Sequence, residues 1–278
     1  MSRVPNILAI AGVDPSGGAG ILADVKAISA NGGYACAVLA ALTAQNTRGV
    51  TGIEPVRTDF IRLQLDTLFE DVRIDAVKIG MLGAAPAIEV VADRLMAWKP
   101  PRIVLDPVMV ARSGDVLLER RDVAVLREAL LPLASIMTPN RAEAGLLLET
   151  GAADNLRDMR RQAERLRNLM AHDGERWVYL KGARIPGEDA VDLLHDGDRM
   201  IELPSPYIDT RNTHGTGCTL SAALATLLPL TTDVPAAARE AKAYITRAIQ
   251  QADTLEVGKG HGPVHHFHAF GREARDAG

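Results

Sequence analysis

Residues 7–28 read Ile7-Leu8-Ala9-Ile10-Ala11-Gly12-Val13-Asp14-Pro15-Ser16-Gly17-Gly18-Ala19-Gly20-Ile21-Leu22-Ala23-Asp24-Val25-Lys26-Ala27-Ile28. A short apolar run leads into a glycine-rich turn and then into Ile21, Val25 and Ile28 at i, i+4 and i+7, which is the pattern of strand, loop and helix. The pattern recurs. Apolar runs at 38–42, 76–79, 102–105, 135–137 and 177–180 are short and aliphatic, as strands covered on both faces should be. Amphipathic stretches lie between them, among them Ile61, Leu65, Leu68 and Val72 behind Thr58, a candidate N-cap. Repeated strand-helix units predict an α/β fold built on a parallel sheet. Residues 49–56 read as a short edge strand or lid, and 190–203 as a hairpin turning at Asp196 and Gly197.

The chain has 278 residues, 47% of them hydrophobic, which is enough for one large core, and no linker rich in Pro, Gly or Ser divides it. A single domain over 1–278 is expected. The net charge of −4, without a basic block or acidic tail, argues against nucleic acid and membrane surfaces as partners. Neither a signal peptide nor a membrane span is legible, so a cytoplasmic location is expected. With only two cysteines, Cys36 and Cys218, no disulfide framework is expected.

Ligands in open α/β sheets bind beyond the carboxyl ends of the strands. Those ends carry Gly12 to Gly20, Gln45-Asn46, Gly80-Met81, Asp106-Pro107, Thr138-Pro139-Asn140 and Lys181-Gly182. The first glycine loop has neither the spacing of a dinucleotide-binding turn nor the lysine of a P-loop. It should start a helix near Gly20, with Asp24 facing ligand or solvent, or serving as a helix-dipole carboxylate. The second glycine turn, Asn212-Thr213-His214-Gly215-Thr216-Gly217-Cys218-Thr219, opens the apolar stretch 220–228. Its amides and the helix N-terminus can hold the charge of a phosphoryl group in flight. At that helix terminus the Cys218 thiol is expected to have a lowered pKa and to accept a proton or stabilise the reacting group; otherwise it is a small buried residue.

These segments, together with Thr43-Ala44-Gln45-Asn46-Thr47, Lys78-Ile79-Gly80-Met81-Leu82, Val104-Leu105-Asp106-Pro107-Val108-Met109 and Thr138-Pro139-Asn140-Arg141-Ala142-Glu143, carry a resemblance over nearly the whole chain. The sequence resembles the bacterial hydroxymethylpyrimidine/phosphomethylpyrimidine kinases of thiamine biosynthesis, in the ribokinase-like superfamily. The resemblance implies a three-layer α/β/α fold, a homodimer, ATP as cosubstrate and Mg²⁺ as cofactor. It implies phosphorylation of 4-amino-5-hydroxymethyl-2-methylpyrimidine to its monophosphate and then to the diphosphate.

By position, the resemblance makes Gln45 the reader of the aminopyrimidine edge, assisted by Asp24 and by contacts around Gly12, Met81 and Met109. A neutral amide offers the required donor and acceptor. Gln45 could instead bond its own turn, and the two methionines could fill core gaps. Asp106 and Glu143 are expected near Mg²⁺ through water, since this ion keeps much of its hydration. Asn140-x-x-Glu143 fits both a site beside phosphate and a capping box. Thr213, Lys181 and, more weakly, Lys242 are candidates for the nucleotide phosphates, although Lys181 also suits a structural ion pair. The turn Gly215-Thr216-Gly217-Cys218 places a cysteine where the sugar and nucleoside kinases of the superfamily usually have an aspartate base. A phosphomonoester, with a second pKa of about 6, needs little base and would be repelled by an aspartate.

Of the tail histidines His261, His265, His266 and His268, the last three are too closely spaced for a regular helical pair at i, i+4 and no cysteine lies nearby, so a structural role is preferred to a metal site. Competing readings are a non-catalytic pyrimidine sensor, a dehydrogenase suggested by fold pattern alone, and a pyridoxal kinase.

Overall fold

Five consecutive residues from Ile7 to Ala11 are buried, as only a strand covered on both faces permits, and they form the middle of β1 (Asn6–Val13). The computed structural model describes residues 3–111, 114–171, 173–182 and 189–270. Around β1 stand β2 (Tyr34–Asn46), β4 (Ala76–Ile79), β5 (Ile103–Leu105), β6 (Ile136–Met137) and β7 (Trp177–Leu180), all parallel. Antiparallel strands close both edges: β3 (Gly49–Pro55) beside β2, and the hairpin β8 (Ala190–His195) and β9 (Met200–Ser205) beyond β7. The order of the nine-stranded sheet is β3-β2-β1-β4-β5-β6-β7-β8-β9. The edge strand read at 49–56 and the hairpin read at 190–203 are both present.

Alternate residues of β1 serve two cores. Ile7 and Ala9 pack with α1 (Gly20–Ala30), α7 (Thr216–Leu227) and α8 (Val234–Gln250), while Leu8 and Ile10 face the opposite layer. That second layer contains α2 (Thr58–Asp71), α3 (Ala85–Trp98), α4 (Arg120–Ala129), α5 (Arg141–Leu147) and α6 (Leu156–Arg167). The chain is thus a three-layer α/β/α sandwich. Thr58 does not cap α2: it is the first helical residue, Arg57 occupies the cap, and no side chain closes that end. Asn140 does cap α5 in a complete capping box. Its side chain accepts from the Glu143 amide at 2.9 Å, and Glu143 Oε2 accepts from the Asn140 amide at 2.7 Å.

All six parallel strands end at the same edge. The loop after β5, in which Arg112 and Ser113 lie outside the described residues, bends back through a bridge between Val110 and Val116. Its Asp115 accepts from the Val50 amide at 3.1 Å, so this loop and β3 meet.

Candidate active site

One cavity of about 400 Å³ lies at the carboxyl edge of the sheet, and residues from opposite ends of the chain line it. Gly12, Gln45 and Met81 form one wall, while Asp106, Asn140, Glu143 and Lys181 follow at the ends of β5, β6 and β7. Thr213, the turn Gly215 to Cys218, and Lys242 complete it. Two of the residues expected here are absent from the wall, Asp24 and Met109.

Asp24 is fully buried in α1, where its carboxylate faces neither ligand nor solvent. Both of its oxygens accept from Lys78 Nζ at 2.8 Å, and Lys78 is equally buried in β4. An unpaired ion at such depth would cost several kcal/mol, so each is held by the other. Burial works against the Lys78 charge, but Asp24, with Asp106 nearby, keeps the ammonium protonated. Burial, opposed by Lys78, lifts the Asp24 carboxyl to about 6. Met109 is core, 1% exposed, as its alternative reading had it. Only its backbone bears on the site, through an N–H bonded to the Glu143 carboxylate.

Gln45 and Thr43 share one face of β2, two residues apart. The Thr43 hydroxyl lies 2.7 Å from the Val13 carbonyl and 3.1 Å from Gln45 Oε1, so its single proton serves one acceptor at a time. Thr43 therefore orients the Gln45 amide at the wall, a role visible afterwards in the i, i+2 spacing of the motif.

Gly215 has φ of +75°, and a Cβ there would overlap the Gly18 carbonyl oxygen, so the two glycine loops touch backbone to backbone. The first helical bond of α7 runs from the Thr219 amide to the Gly215 carbonyl at 2.9 Å. The Gly217 and Cys218 amides ahead of it have no intrahelical acceptor and present the positive end of the helix to the cavity. A Cβ on Gly217 would stand 3.1 Å from Lys181 Nζ and 3.5 Å from Asp106 Oδ2, which places the charged groups against this turn.

Lys181 Nζ donates to Asp106 Oδ1 at 2.8 Å and lies 3.9 Å from Glu143 Oε2. Asp106 also accepts from the Thr138 hydroxyl at 2.9 Å. Burial would raise Asp106, yet Lys181 and Lys78 hold it below the ordinary carboxylate range. Burial and the neighbouring Asp106 charge push Glu143 up to about 7 against the pull of Lys181. Lys242 is engaged elsewhere: its Nζ donates to Asp192 Oδ2 at 2.6 Å, and the same carboxylate accepts from Tyr179 Oη at 3.0 Å and from the Gly182 amide at 2.8 Å.

Cys218 departs from expectation. Burial, together with the charges of Asp24 and Asp106, raises its thiol to about 11, and Lys78 and the Gly20 amide offset only part of that. The helix terminus does not produce a thiolate at neutral pH, because burial, with the nearby carboxylates adding to it, outweighs it.

The sequence reading also passed over a contact that joins the two glycine loops. His214 Nε2 lies 2.7 Å from Asp14 Oδ2, both residues buried. Asp14 also accepts from the Ser16 amide at 2.8 Å, the Ser16 hydroxyl at 2.9 Å and the Ala19 amide at 2.9 Å, which shapes the first loop. Burial would raise its carboxyl, but His214 and Ser16 hold it low. Two of the tail histidines pack within the fold: His266 is buried, with Nε2 3.0 Å from Thr219 Oγ1, and His268 lies at 5.4 Å from the Tyr244 ring.

A sheet-edge cavity with a glycine turn at an uncapped helix N-terminus and a lysine between two carboxylates suits the handling of phosphate. Similarity to known proteins agrees. Residues 14–265 match the phosphomethylpyrimidine kinase family. The hydroxymethylpyrimidine/phosphomethylpyrimidine kinase of Escherichia coli is 50% identical over 270 residues, covering 97% of this chain and all of that protein. Among solved structures, an ADP complex of Bacillus subtilis pyridoxal kinase superposes with a TM-score of 0.87 at 34% identity, over 96% of this chain and 99% of that one. The phosphomethylpyrimidine kinase of Clostridium difficile superposes with a TM-score of 0.76 at 38% identity, over 88% and 99%. With the motifs, the layered fold and full-length similarity in agreement, the chain belongs to the phosphomethylpyrimidine kinase family.

Proposed function

We propose that this chain moves the γ-phosphoryl group of ATP onto 4-amino-5-hydroxymethyl-2-methylpyrimidine and then onto the resulting monophosphate, on the route to thiamine diphosphate. The observation that carries the reading is that Gln45 and the α7 N-terminus with Cys218 open onto one cavity. Gln45, held by Thr43, reads the ring: its carbonyl accepts from the exocyclic amine and its NH₂ donates to the ring nitrogen. Gly12 and Met81 line the wall beside the ring. The amides of Gly217 and Cys218 receive the charge on the phosphoryl group as the acceptor oxygen bonds to phosphorus and the bond to the ADP oxygen breaks. Lys181 and Thr213 hold nucleotide phosphate, and Lys242, already tied to Asp192, lines the far end.

The groups around Asp106 and Glu143, with Asn140 beside them, present oxygen donors to the cavity, two carboxylates among them, and this set fits a hydrated Mg²⁺ held through water. When bound, that ion would neutralise phosphate charge. Both carboxylates are partly compensated by Lys181 already, which favours water-mediated rather than direct contact.

Cys218 keeps its proton at rest. Phosphoryl transfer has a loose transition state in which the alcohol proton leaves late, onto a phosphoryl oxygen and then solvent, so a neutral thiol beside the acceptor oxygen suffices and repels neither the alcohol nor the dianionic monophosphate. The reading includes one kinase domain, an enzyme of the cytosol, where unpaired cysteines are ordinary, and a homodimer. Leu42 and Ile53, exposed on β2 and β3, support pairing through that sheet edge. No helix among the described residues is long and apolar enough to cross a membrane.

The Bacillus subtilis likeness favours a second substrate, pyridoxal, whose hydroxymethyl group on a nitrogen heteroaromatic has similar chemistry. A coupled ADP-release and phosphate-transfer assay separates the readings, with the pyrimidine alcohol, its monophosphate and pyridoxal as acceptors. Turnover with both pyrimidines is expected. ADP release that does not depend on either pyrimidine, or turnover with pyridoxal alone, would overturn the proposal.

A further inference from the structure

Residues 258–266, Gly258-Lys259-Gly260-His261-Gly262-Pro263-Val264-His265-His266, run from the β2–β3 turn beyond Gln45 to the glycine turn and first helical turn around Cys218. At one end the segment grips the β2–β3 turn. The His261 amide donates to the Thr47 carbonyl at 2.8 Å, and the Gly260 amide donates to Thr47 Oγ1 at 3.1 Å. The approach is so close that a Cβ on Gly260 would overlap the Thr47 carbonyl oxygen. Thr47 lies two residues beyond Gln45.

In its middle, the segment binds the turn before α7. The Gly262 amide donates to Asn212 Oδ1 at 3.0 Å, and the Gly262 carbonyl accepts from the His214 amide at 3.0 Å. The His214 ring in turn meets Asp14 of the first glycine loop. At the far end His266 Nε2 pairs at 3.0 Å with the hydroxyl of Thr219, the residue after Cys218, and the His266 carbonyl accepts from Tyr244 Oη at 2.8 Å.

Apart from the bond between the Val50 amide and Asp115, the strap supplies the hydrogen bonds that tie the β2–β3 turn to the glycine-turn side of the cavity. Residues 51–55 of β3 are exposed, and this edge strand pairs only with β2. Without the strap the turn beyond Gln45 would sample displaced positions, and the ring contact made by Gln45 would weaken with it. We propose that the 258–266 strap is a positioning element of the phosphoryl transfer, holding the hairpin that carries Gln45 in register with the turn that carries Cys218. The inference rests on the reading in which Gln45 binds the pyrimidine and the turn binds the transferring group.

The two ends predict different kinetics. Thr47→Val removes the oxygen that accepts from Gly260 without adding volume, and Gly260→Ala pushes the strap off Thr47. Each should raise KM for the pyrimidine alcohol roughly fivefold to tenfold, the scale of one buried hydrogen bond. KM for ATP and kcat should stay within about twofold, since the turn is untouched. Thr47→Ser, which keeps the hydroxyl, should restore KM. Thr219→Val, at the other end, should lower kcat about tenfold and leave KM for the pyrimidine near its wild-type value. Gly151→Ala, at a glycine with open space around it, controls for a generic glycine effect. Thermal unfolding of every variant accompanies the kinetics, and Thr47→Val decides the matter if Gly260→Ala does not fold.

The proposal is overturned if Thr47→Val leaves KM unchanged while Gln45→Ala raises it. It is also overturned if kcat and both KM values move together in proportion to lost stability. Wild-type protein without pyrimidine-dependent turnover, or Gln45→Ala with unchanged KM, marks instead the failure of the functional reading, and the inference falls with it.

Discussion

Cys218 shows how a residue can be located from sequence while its chemistry is not. Its place at the end of a glycine turn was legible, because Gly215 and Gly217 precede it and an apolar helix follows. Its protonation was not, since Asp24, Asp106 and Lys78, which surround it electrostatically, come from three other elements. The neutral thiol has a kinetic consequence. A carboxylate at 218 would stand beside the dianionic monophosphate acceptor, and repulsion of about 1.4 kcal/mol is enough for a tenfold penalty. Cys218→Asp should therefore depress the second phosphorylation at least about tenfold more than the first, read as the ratio of kcat/KM for the two pyrimidines. Equal loss of both would remove the electrostatic reason for a cysteine.

Elements were legible where periodicity and turn chemistry agreed. β4 and β7 are short apolar runs ended by glycine or lysine, and α5 begins with an Asn-x-x-Glu signature that the structure realises as a capping box. The start of α2 was misread because Thr58, a good cap by type, follows an Arg57 that already holds the extended cap geometry. The strap was invisible as an element: it has no regular structure, and its bonds reach residues far away in the chain. His266 gives it a measurable signature. Burial pulls this imidazole down to about 3, with Lys26, His265 and His214 adding to the effect. An unfolded histidine takes up its proton near pH 6.5, so as pH falls the unfolded state binds that proton first. The contribution of His266 to stability is complete above about pH 6.5 and is lost toward pH 3. From pH 7 to pH 5 the wild type should lose about 2 kcal/mol more than His266→Gln in urea unfolding. Glu143 and Asp24, whose carboxyls are raised, act in the opposite sense in both proteins and cancel in the difference. Equal losses would contradict a buried, neutral His266.

At the scale of the whole molecule, the parallel sheet gathers six strand ends at one edge, and this is why turn-type residues after successive strands predicted a common rim. Thirteen of the fifteen proposed side chains and backbone positions do line that cavity; the other two, Asp24 and Met109, are buried. Asp24 was misplaced for a physical reason: its partner Lys78 lies 54 residues away, and a lysine inside a four-residue apolar strand announces a buried ion pair only once the sheet is assembled. The Asp14–His214 contact, 200 residues apart, was hidden in the same way. The central claim is that ring recognition and charge stabilisation meet in this one cavity. A crystal structure of the chain with the pyrimidine alcohol and a non-hydrolysable ATP analogue tests it most directly. The account predicts the aminopyrimidine edge within hydrogen-bonding distance of the Gln45 amide, with the hydroxymethyl oxygen between the ring and a terminal phosphoryl group seated on the Gly217 and Cys218 amides. A pyrimidine bound away from Gln45, or a terminal phosphoryl group away from those amides, would contradict it.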